Sequence, residues 1–594
     1  MVIKLFLSPI ISINRKDSSI FVDKIEKEMN KKSRNILMVV LLAAFLPELA
    51  SGEYKKNDNA AIARGIKIFT SAFKELNAYY VDTIDVEKSV ENALGYMLGA
   101  LDPYTEYYPE REEETLRVIT TGEYGGVGSY IQKRDSVVIF SEPQIGTPSA
   151  NAGIKAGDRI LKIDTANVIG YSTEQVSALL KGTPKTTVNV TVKRPYVDDS
   201  IKTFTLIRDK IRVNPVPYYG VKRGNIGYIN VSTFNERTGS AVKEALETLK
   251  ANPAVETIAL DLRGNTGGLL EEAVKVVGLF VPKGTEVLQT RGRQTTDTKV
   301  YKTTQKPVDT KIPLFVLVDG NSASASEIVA GALQDLDRAV IVGTRSFGKG
   351  LVQTTRPLPY KGLLKVTIAK YYIPSGRLIQ EIDYSQRDAD GKAKRVADSL
   401  TTVFHTAHGR EVRDGGGITP DLKIKSDSVN RLLYNIYVGN WAYDYAVKYC
   451  NTRESVAAPA DFKVTDEMFA DFKATIDPDK FSYDKVCELA LDQLRRVAEV
   501  EGYANDSVKA QFEVLAKMLK HDLNHDLDHN RDAISDMIAD VVMRRYYYEP
   551  GRVEYTLNKD KCLDEVVKTM SNPGEYRRIL ALDGAPRSTE KKKK

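Results

Sequence analysis

The middle of the chain alternates between two periods. Short apolar runs at 225–231, 257–263, 312–320 and 338–343 each give way to a glycine or polar turn, which is how buried strands read. Between them, 239–250, 269–280 and 327–333 carry apolar residues at helical spacing. Strands alternating with helices predict an α/β core with a largely parallel sheet, whose site gathers at the carboxyl ends of the strands. Residues 53–112 read as helices, with 60–69 and 90–98 the clearest stretches. Tyr79, Tyr80, Tyr104, Tyr107 and Tyr108 read there as helix-packing residues. From 426 onward the pattern is again mostly helical, as at 432–437 and 486–500.

A different pattern precedes the core. A glycine-rich turn, Tyr124-Gly125-Gly126-Val127-Gly128-Ser129-Tyr130-Ile131, feeds a strand, and 137–140 supplies a second. Then come Ala152-Gly153-Ile154-Lys155-Ala156-Gly157-Asp158-Arg159-Ile160, a helix at 173–180 and a last strand at 187–194. This order, with its Ala-Gly-x-x-x-Gly-Asp-x-Ile signature, resembles a PDZ domain over 114–206. The resemblance implies capture of an extended peptide by strand addition, its terminal carboxylate held by backbone N–H groups. Gly125, Gly126, Val127 and Gly128 are the candidate substrate-binding nest, and Arg194 is a candidate link to the core. A strand follows the glycines, which excludes a dinucleotide fingerprint.

Near the start, Met29-Asn30-Lys31-Lys32-Ser33-Arg34 and the apolar run from Ile36 to Leu46 have the layout of a secretory signal. Ala50-Ser51-Gly52 supplies a cleavage site, and Met29 is the expected start. The expectation is an exported, periplasmic protein; retention of the short apolar run as a membrane anchor is the weaker reading.

Composition narrows the chemistry. With 594 residues, 42% hydrophobic and 28% charged, the chain reads as a multidomain globular protein. Lys+Arg 85 against Asp+Glu 79 gives 85 − 79 = +6, with no nucleic-acid signature. Three cysteines, all late, form no C-x-x-C pair. His521, His525 and His529 recur at four-residue intervals; a solvated helix face outweighs a metal site there, and no metal or cofactor is expected. With 5 histidines, none near the chemistry below, a lysine is the natural base.

That chemistry lies in Asn321-Ser322-Ala323-Ser324-Ala325-Ser326-Glu327 and in Ser346-Phe347-Gly348-Lys349-Gly350. A serine at a strand-to-helix turn meets free N–H groups and a positive helix dipole, both favourable to developing negative charge. Helix capping is the plain alternative. Lys349 becomes a base if burial lowers its pKa. The stretch 343–350 also fits seven positions of a P-loop, but Gly350 stands where Ser or Thr must ligate magnesium, and 351–355 reads as a strand instead of a helix. No nucleotide is expected.

Together with Leu260-Asp261-Leu262-Arg263-Gly264-Asn265-Thr266-Gly267-Gly268 and Tyr371-Tyr372-Ile373-Pro374-Ser375-Gly376-Arg377, these motifs resemble the carboxyl-terminal processing peptidases over about 60–425. The residues leave Ser322, Ser324 and Ser326 open as nucleophile; the resemblance selects Ser324. It also implies Lys349 as general base, Gln353 as the residue orienting it, and oxyanion donors from Ala325 and from Gly267 or Gly268. The implied fold is multidomain α+β: a leader (1–52), a helical region (53–113), a PDZ domain (114–206), a crotonase/Clp-protease-like α/β core (207–425) and a helical domain (426–594). The implied function is a serine endopeptidase acting on proteins with apolar, unstructured C-termini; beyond 425 the resemblance fades, and substrate docking, adaptor contact or self-association all fit the helical domain. The rival reading is an inactive PDZ scaffold.

Overall fold

The computed structural model describes residues 56–582, apart from 113–116, 119, 198–199, 388–392 and 426–429. The expected signal segment and its cleavage site lie outside the described residues. Among the described residues, no helix is long and apolar enough to cross a membrane.

The chain divides into two compact units, 1–93 and 94–594. In the first, α1 (Lys56–Tyr79) is followed by α2 (Val86–Gly99), which runs across the boundary and starts on Asp85, whose carboxylate accepts the Lys88 N–H at 3.0 Å. Ile62, Ile66, Phe69 and Leu76 form an exposed stripe on α1, and Tyr79 and Tyr80 are exposed too. Those two tyrosines are surface residues, contrary to the packing role the pattern suggested.

In the second unit, the centre is a six-stranded sheet. Its strands are β9 (Tyr218–Lys222), β10 (Ile226–Asn230), β11 (Thr257–Asp261), β14 (Leu314–Val318), β15 (Val340–Gly343) and β18 (Leu422–Lys423), in that order. β9 pairs antiparallel with β10 and every other pairing is parallel, as the alternating pattern predicts. Strands covered on both faces must be apolar throughout, and Leu314-Phe315-Val316-Leu317-Val318 is wholly buried. Side chains alternate between two cores. Ile258, Leu260, Leu314 and Val316 pack against α4 (Thr238–Lys250), α5 (Leu270–Val277) and α6 (Ala325–Asp335). Ala259, Phe315, Leu317 and Val342 face the other way, onto Val553, Leu557, Leu563, Val566 and Tyr576. The far C-terminal helices therefore form the second layer of the α/β core.

A second, antiparallel sheet lies alongside. It orders β1 (Glu106–Tyr108), β17 (Leu363–Tyr372), β12 (Glu286–Gly292) and β13 (Lys299–Lys302), with β16 (Leu351–Pro357) also on β17. β1 falls in the stretch read as helical, so Tyr107 and Tyr108 are strand residues opposite Leu364 and Leu363.

The PDZ-like sheet runs β3 (Ser129–Arg134), β4 (Val137–Pro143), β5 (Arg159–Ile163), β6 (Thr187–Lys193) and β7 (Ile201–Ile207). The strand at 187–194 is thus not the last: β7 returns against it over its whole length. Helix α3 (Thr173–Leu180) starts with a reciprocal cap between Ser172 and Gln175 and buries Val176 and Leu180. A ribbon of β2 (Glu123–Gly126) and β8 (Asp209–Arg212) carries the chain in and out of this domain. Arg194 turns inward, its guanidinium bidentate on buried Asp158 at 2.8 and 2.7 Å, and among the described residues it makes no bridge to the core. Links outward go to the helical domain: Arg134 is bidentate on Asp444 at 2.7 and 3.0 Å, and Arg544 pairs with Glu142.

That domain includes α7 (Arg431–Val438), α8 (Trp441–Asn451), α9 (Asp466–Thr475), α10 (Val486–Val500), α11 (Asp506–Met518), α12 (Leu523–His529), α13 (Arg531–Thr556), α14 (Lys561–Met570) and α15 (Pro573–Ile579). α13 is broken at Tyr548, just before Pro550, which has no N–H to continue the helix. His521 precedes α12 and bonds Glu488 at 3.2 Å, so the three histidines do not share one helix face.

Candidate active site

The three serines of the central motif have three different fates. Ser322 is fully buried and donates to the Leu262 carbonyl at 2.9 Å; Ser326 is fully buried and donates to the Asn265 carbonyl at 2.8 Å. Both hydroxyls are consumed in holding the Leu262–Asn265 turn. Ser324 is half-buried, donates to no carbonyl among the described residues, and sits at the N-cap of α6 with φ 56° and ψ −112°. Such a backbone costs an L-residue about 1–3 kcal/mol, and it turns the side chain out at a sharp strand-to-helix junction. The geometry therefore separates Ser324 from its neighbours.

Glu327, three residues on, organises the site. Its buried carboxylate accepts the N–H of Ser324 at 2.9 Å and that of Lys349 at 2.9 Å on one oxygen. The other oxygen accepts the Gly348 N–H at 2.7 Å and the Ser346 hydroxyl at 2.6 Å. Burial pushes Glu327 up to about 7, against the pull of these donors. Tyr371 makes the same connection from the other sheet, its hydroxyl lying 3.2 Å from the Ser324 carbonyl and 2.8 Å from the Lys349 carbonyl. Serine and lysine, 25 positions apart in sequence (349 − 324), are thus fixed backbone to backbone. The signal for Glu327 was present as Ser324-x-x-Glu327, the capping-box spacing. Tyr371 offered none beyond its place in a motif.

Lys349 follows β15 and precedes β16. A strand, not a helix, comes after it, which removes the P-loop alternative. Burial, aided by Lys365, pushes the Lys349 ammonium down to about 8, while Asp102, Glu106 and Glu327 act the other way. Its Nζ lies 4.1 Å from the centroid of the Tyr104 ring. No hydrogen bond joins Lys349 to Ser324 or to Gln353 among the described residues. The Gln353 amide instead donates to Thr367 Oγ1 at 3.1 Å, from a bulge that shifts the β16–β17 register between Val352 and Gln353. The expected contact between Gln353 and the amine is therefore replaced by one to Thr367.

The Gly264–Gly268 turn lies against Ser324. Gly267 and Gly268 have φ 104° and 145°. A Cβ on Gly267 would fall 2.8 Å from Ser324 Cβ and 3.0 Å from the Ala325 nitrogen, so no larger residue fits. The Gly267 N–H is taken by Asn265 Oδ1 at 2.9 Å, which removes it as an oxyanion donor. The Gly268 and Ala325 amides have no acceptor among the described residues.

In the PDZ-like domain, Gly125 and Gly126 are paired with Lys210 and Asp209 in the β2–β8 ribbon, and neither has a positive φ. Gly128, with φ 74°, is the turn-former. The amides of Val127 and Gly128, between β2 and edge strand β3, have no acceptor among the described residues. The candidate nest is therefore narrower than the four residues read from the sequence, and it opens at the end of a free strand edge.

Comparison with known proteins agrees with this division of the chain. The model "Peptidase family S41" matches 225–386, "PDZ domain" matches 139–194, and "Probable PDZ-protease, C-terminal helical domain" matches 432–570. An S41 core joined to a PDZ domain and a helical C-terminal domain defines a serine-type peptidase. A carboxy-terminal-processing protease of Bartonella bacilliformis is 37% identical over 346 residues, covering 58% of this chain and 79% of that one. A probable CtpA-like serine protease of Staphylococcus haemolyticus is 32% identical over 415 residues, covering 68% and 80%. Among solved structures, a photosystem II D1 C-terminal processing protease is 28% identical at a TM-score of 0.34, covering 60% of this chain and 92% of that one. The chain belongs to the carboxy-terminal-processing protease family.

Proposed function

We propose that the protein is an exported, periplasmic endopeptidase that takes hold of exposed, unstructured C-terminal tails and cleaves with Ser324 as nucleophile and Lys349 as base. The observation that carries this reading is the shared anchoring of both backbones on Glu327 and Tyr371. Neutral Lys349 removes the Ser324 proton as Oγ attacks the scissile carbonyl carbon. The Ala325 and Gly268 amides receive the oxyanion, each donor worth roughly 3–4 kcal/mol in comparable sites. The Lys349 ammonium then protonates the leaving amine, and water resolves the ester by the same steps in reverse. Gln353 steadies the lysine side of the site through Thr367. The substrate tail adds as a strand to β3, its carboxylate on the Val127 and Gly128 amides and its apolar end toward α3.

The test uses an unfolded protein ending in apolar residues and the same protein ending in Asp-Asp, with fragments followed by mass spectrometry. The parent cleaves the apolar-tailed form faster, and Ser324→Ala cleaves neither. Equal behaviour of parent and Ser324→Ala would move the reading to a binding scaffold; equal cleavage of both tails would remove the tail-recognition step alone.

A further inference from the structure

The short segment ahead of β1 reaches the candidate base. Asp102 is buried and accepts the N–H groups of Tyr104 and Thr105, each at 2.8 Å, and the Thr105 hydroxyl at 3.0 Å. Thr105 Oγ1 in turn accepts the Thr367 N–H at 3.2 Å and lies 3.4 Å from Thr367 Oγ1, which holds Gln353. One buried carboxylate therefore shapes a turn that touches Gln353 through Thr367 and presents the Tyr104 ring to Lys349. The ring is itself braced, edge-on to Tyr384 with centroids 6.1 Å apart.

We propose that Tyr104 is a positioning residue for the general base, its ring forming the wall that fixes the Lys349 side chain and keeps water from the amine, with Asp102 setting the turn that carries it. This rests on the Ser324–Lys349 reading. An aromatic face suits a lysine side chain because it accepts the ammonium electrostatically and the methylenes by apolar contact. The other groups facing the amine are Lys365 on β17, Asp102 and Glu106 ahead of and within β1, and Glu327 on α6. Glu106 is committed to Lys365 at 2.8 Å. Two effects of the ring oppose each other: attraction favours the charged amine, and exclusion of water disfavours it. Burial is the larger influence on Lys349, so removing the wall returns the amine toward the ordinary lysine range.

Two readouts on the full chain test this. Competitive acetylation with trace acetic anhydride, resolved by peptide mass spectrometry, gives the titration midpoint of Lys349 whether or not the enzyme turns over. Steady-state cleavage gives kcat and KM. Tyr104→Leu, whose shorter side chain no longer closes the wall over the amine, should raise the Lys349 midpoint and lower kcat by about tenfold, with KM within about twofold. Tyr104→Phe should match the parent in both. An unchanged midpoint and kcat in Tyr104→Leu, or equal damage in Tyr104→Phe, would overturn the proposal. Should Ser324→Ala retain activity, the underlying reading fails, yet the acetylation midpoint still reports whether Tyr104 governs the amine.

Discussion

Two glycine-rich turns in this molecule end in backbone amides with no acceptor among the described residues, and they use glycine for different reasons. In Gly264–Gly268 both Gly267 and Gly268 hold left-handed φ values and press against Ser324 and Phe234; a Cβ on Gly268 would lie 2.2 Å from the Phe234 carbonyl oxygen. In Gly125–Gly128 only Gly128 has a positive φ; Gly125 is an extended strand residue whose Cβ would meet the Gly182 carbonyl oxygen at 2.2 Å, and Gly126 faces the movable ring of Tyr124. The first turn is closely packed, which suits the proposed meeting of an oxyanion at a fixed point, since preorganised donors owe their strength to such fixity. The second is a strand end that widens into a turn, which suits a ligand that completes the sheet. The lesson is that glycine content marks both sites, while backbone dihedrals separate them.

Substitutions at matched positions sharpen this comparison. Gly267→Ala should lower kcat/KM by about 10²-fold or more, since the new methyl displaces Ser324 and the Ala325 amide at the oxyanion. The pH profile comes next. A base that must be neutral, with its ordinary value depressed to about 8, loses activity as pH falls, so kcat/KM should drop about tenfold per unit below that value and level off above it. A flat profile from pH 6 to 9 would remove Lys349 as base. Gly128→Ala places a Cβ 2.3 Å from Thr147 at φ 74° and should weaken binding of an apolar-tailed peptide by about tenfold in fluorescence anisotropy, leaving cleavage of a short internal peptide unchanged. Gly126→Ala displaces only a tyrosine ring and should change peptide binding by about twofold or less.

Much of the core was legible because its strands are continuous apolar runs with glycine ends, and burial on both faces leaves no other composition. Lys349 was legible as the candidate base from the shortage of histidines. The choice among three serines was not, because it depends on which hydroxyls are spent on the Leu262 and Asn265 carbonyls, contacts about 60 residues away in sequence. β1 was hidden because three residues are too few to show a period, and its pairing with β17 spans more than 250 positions. Tyr104 was accordingly read as helix packing. The closing of the parallel sheet by Leu563, Val566 and Tyr576 was invisible for the same reason: an amphipathic helix shows that it has a partner, not which one.

The central claim is that Ser324, and neither neighbour, forms the covalent intermediate. Mixing the protein with excess unfolded substrate, quenching in acid within milliseconds to seconds and mapping the adduct by peptide mass spectrometry addresses it directly. The account predicts an ester on Ser324 that is absent from Ser324→Ala and accumulates in Gly267→Ala no faster than in the parent. An ester on Ser322 or Ser326, or cleavage that persists undiminished in Ser324→Ala, would contradict it.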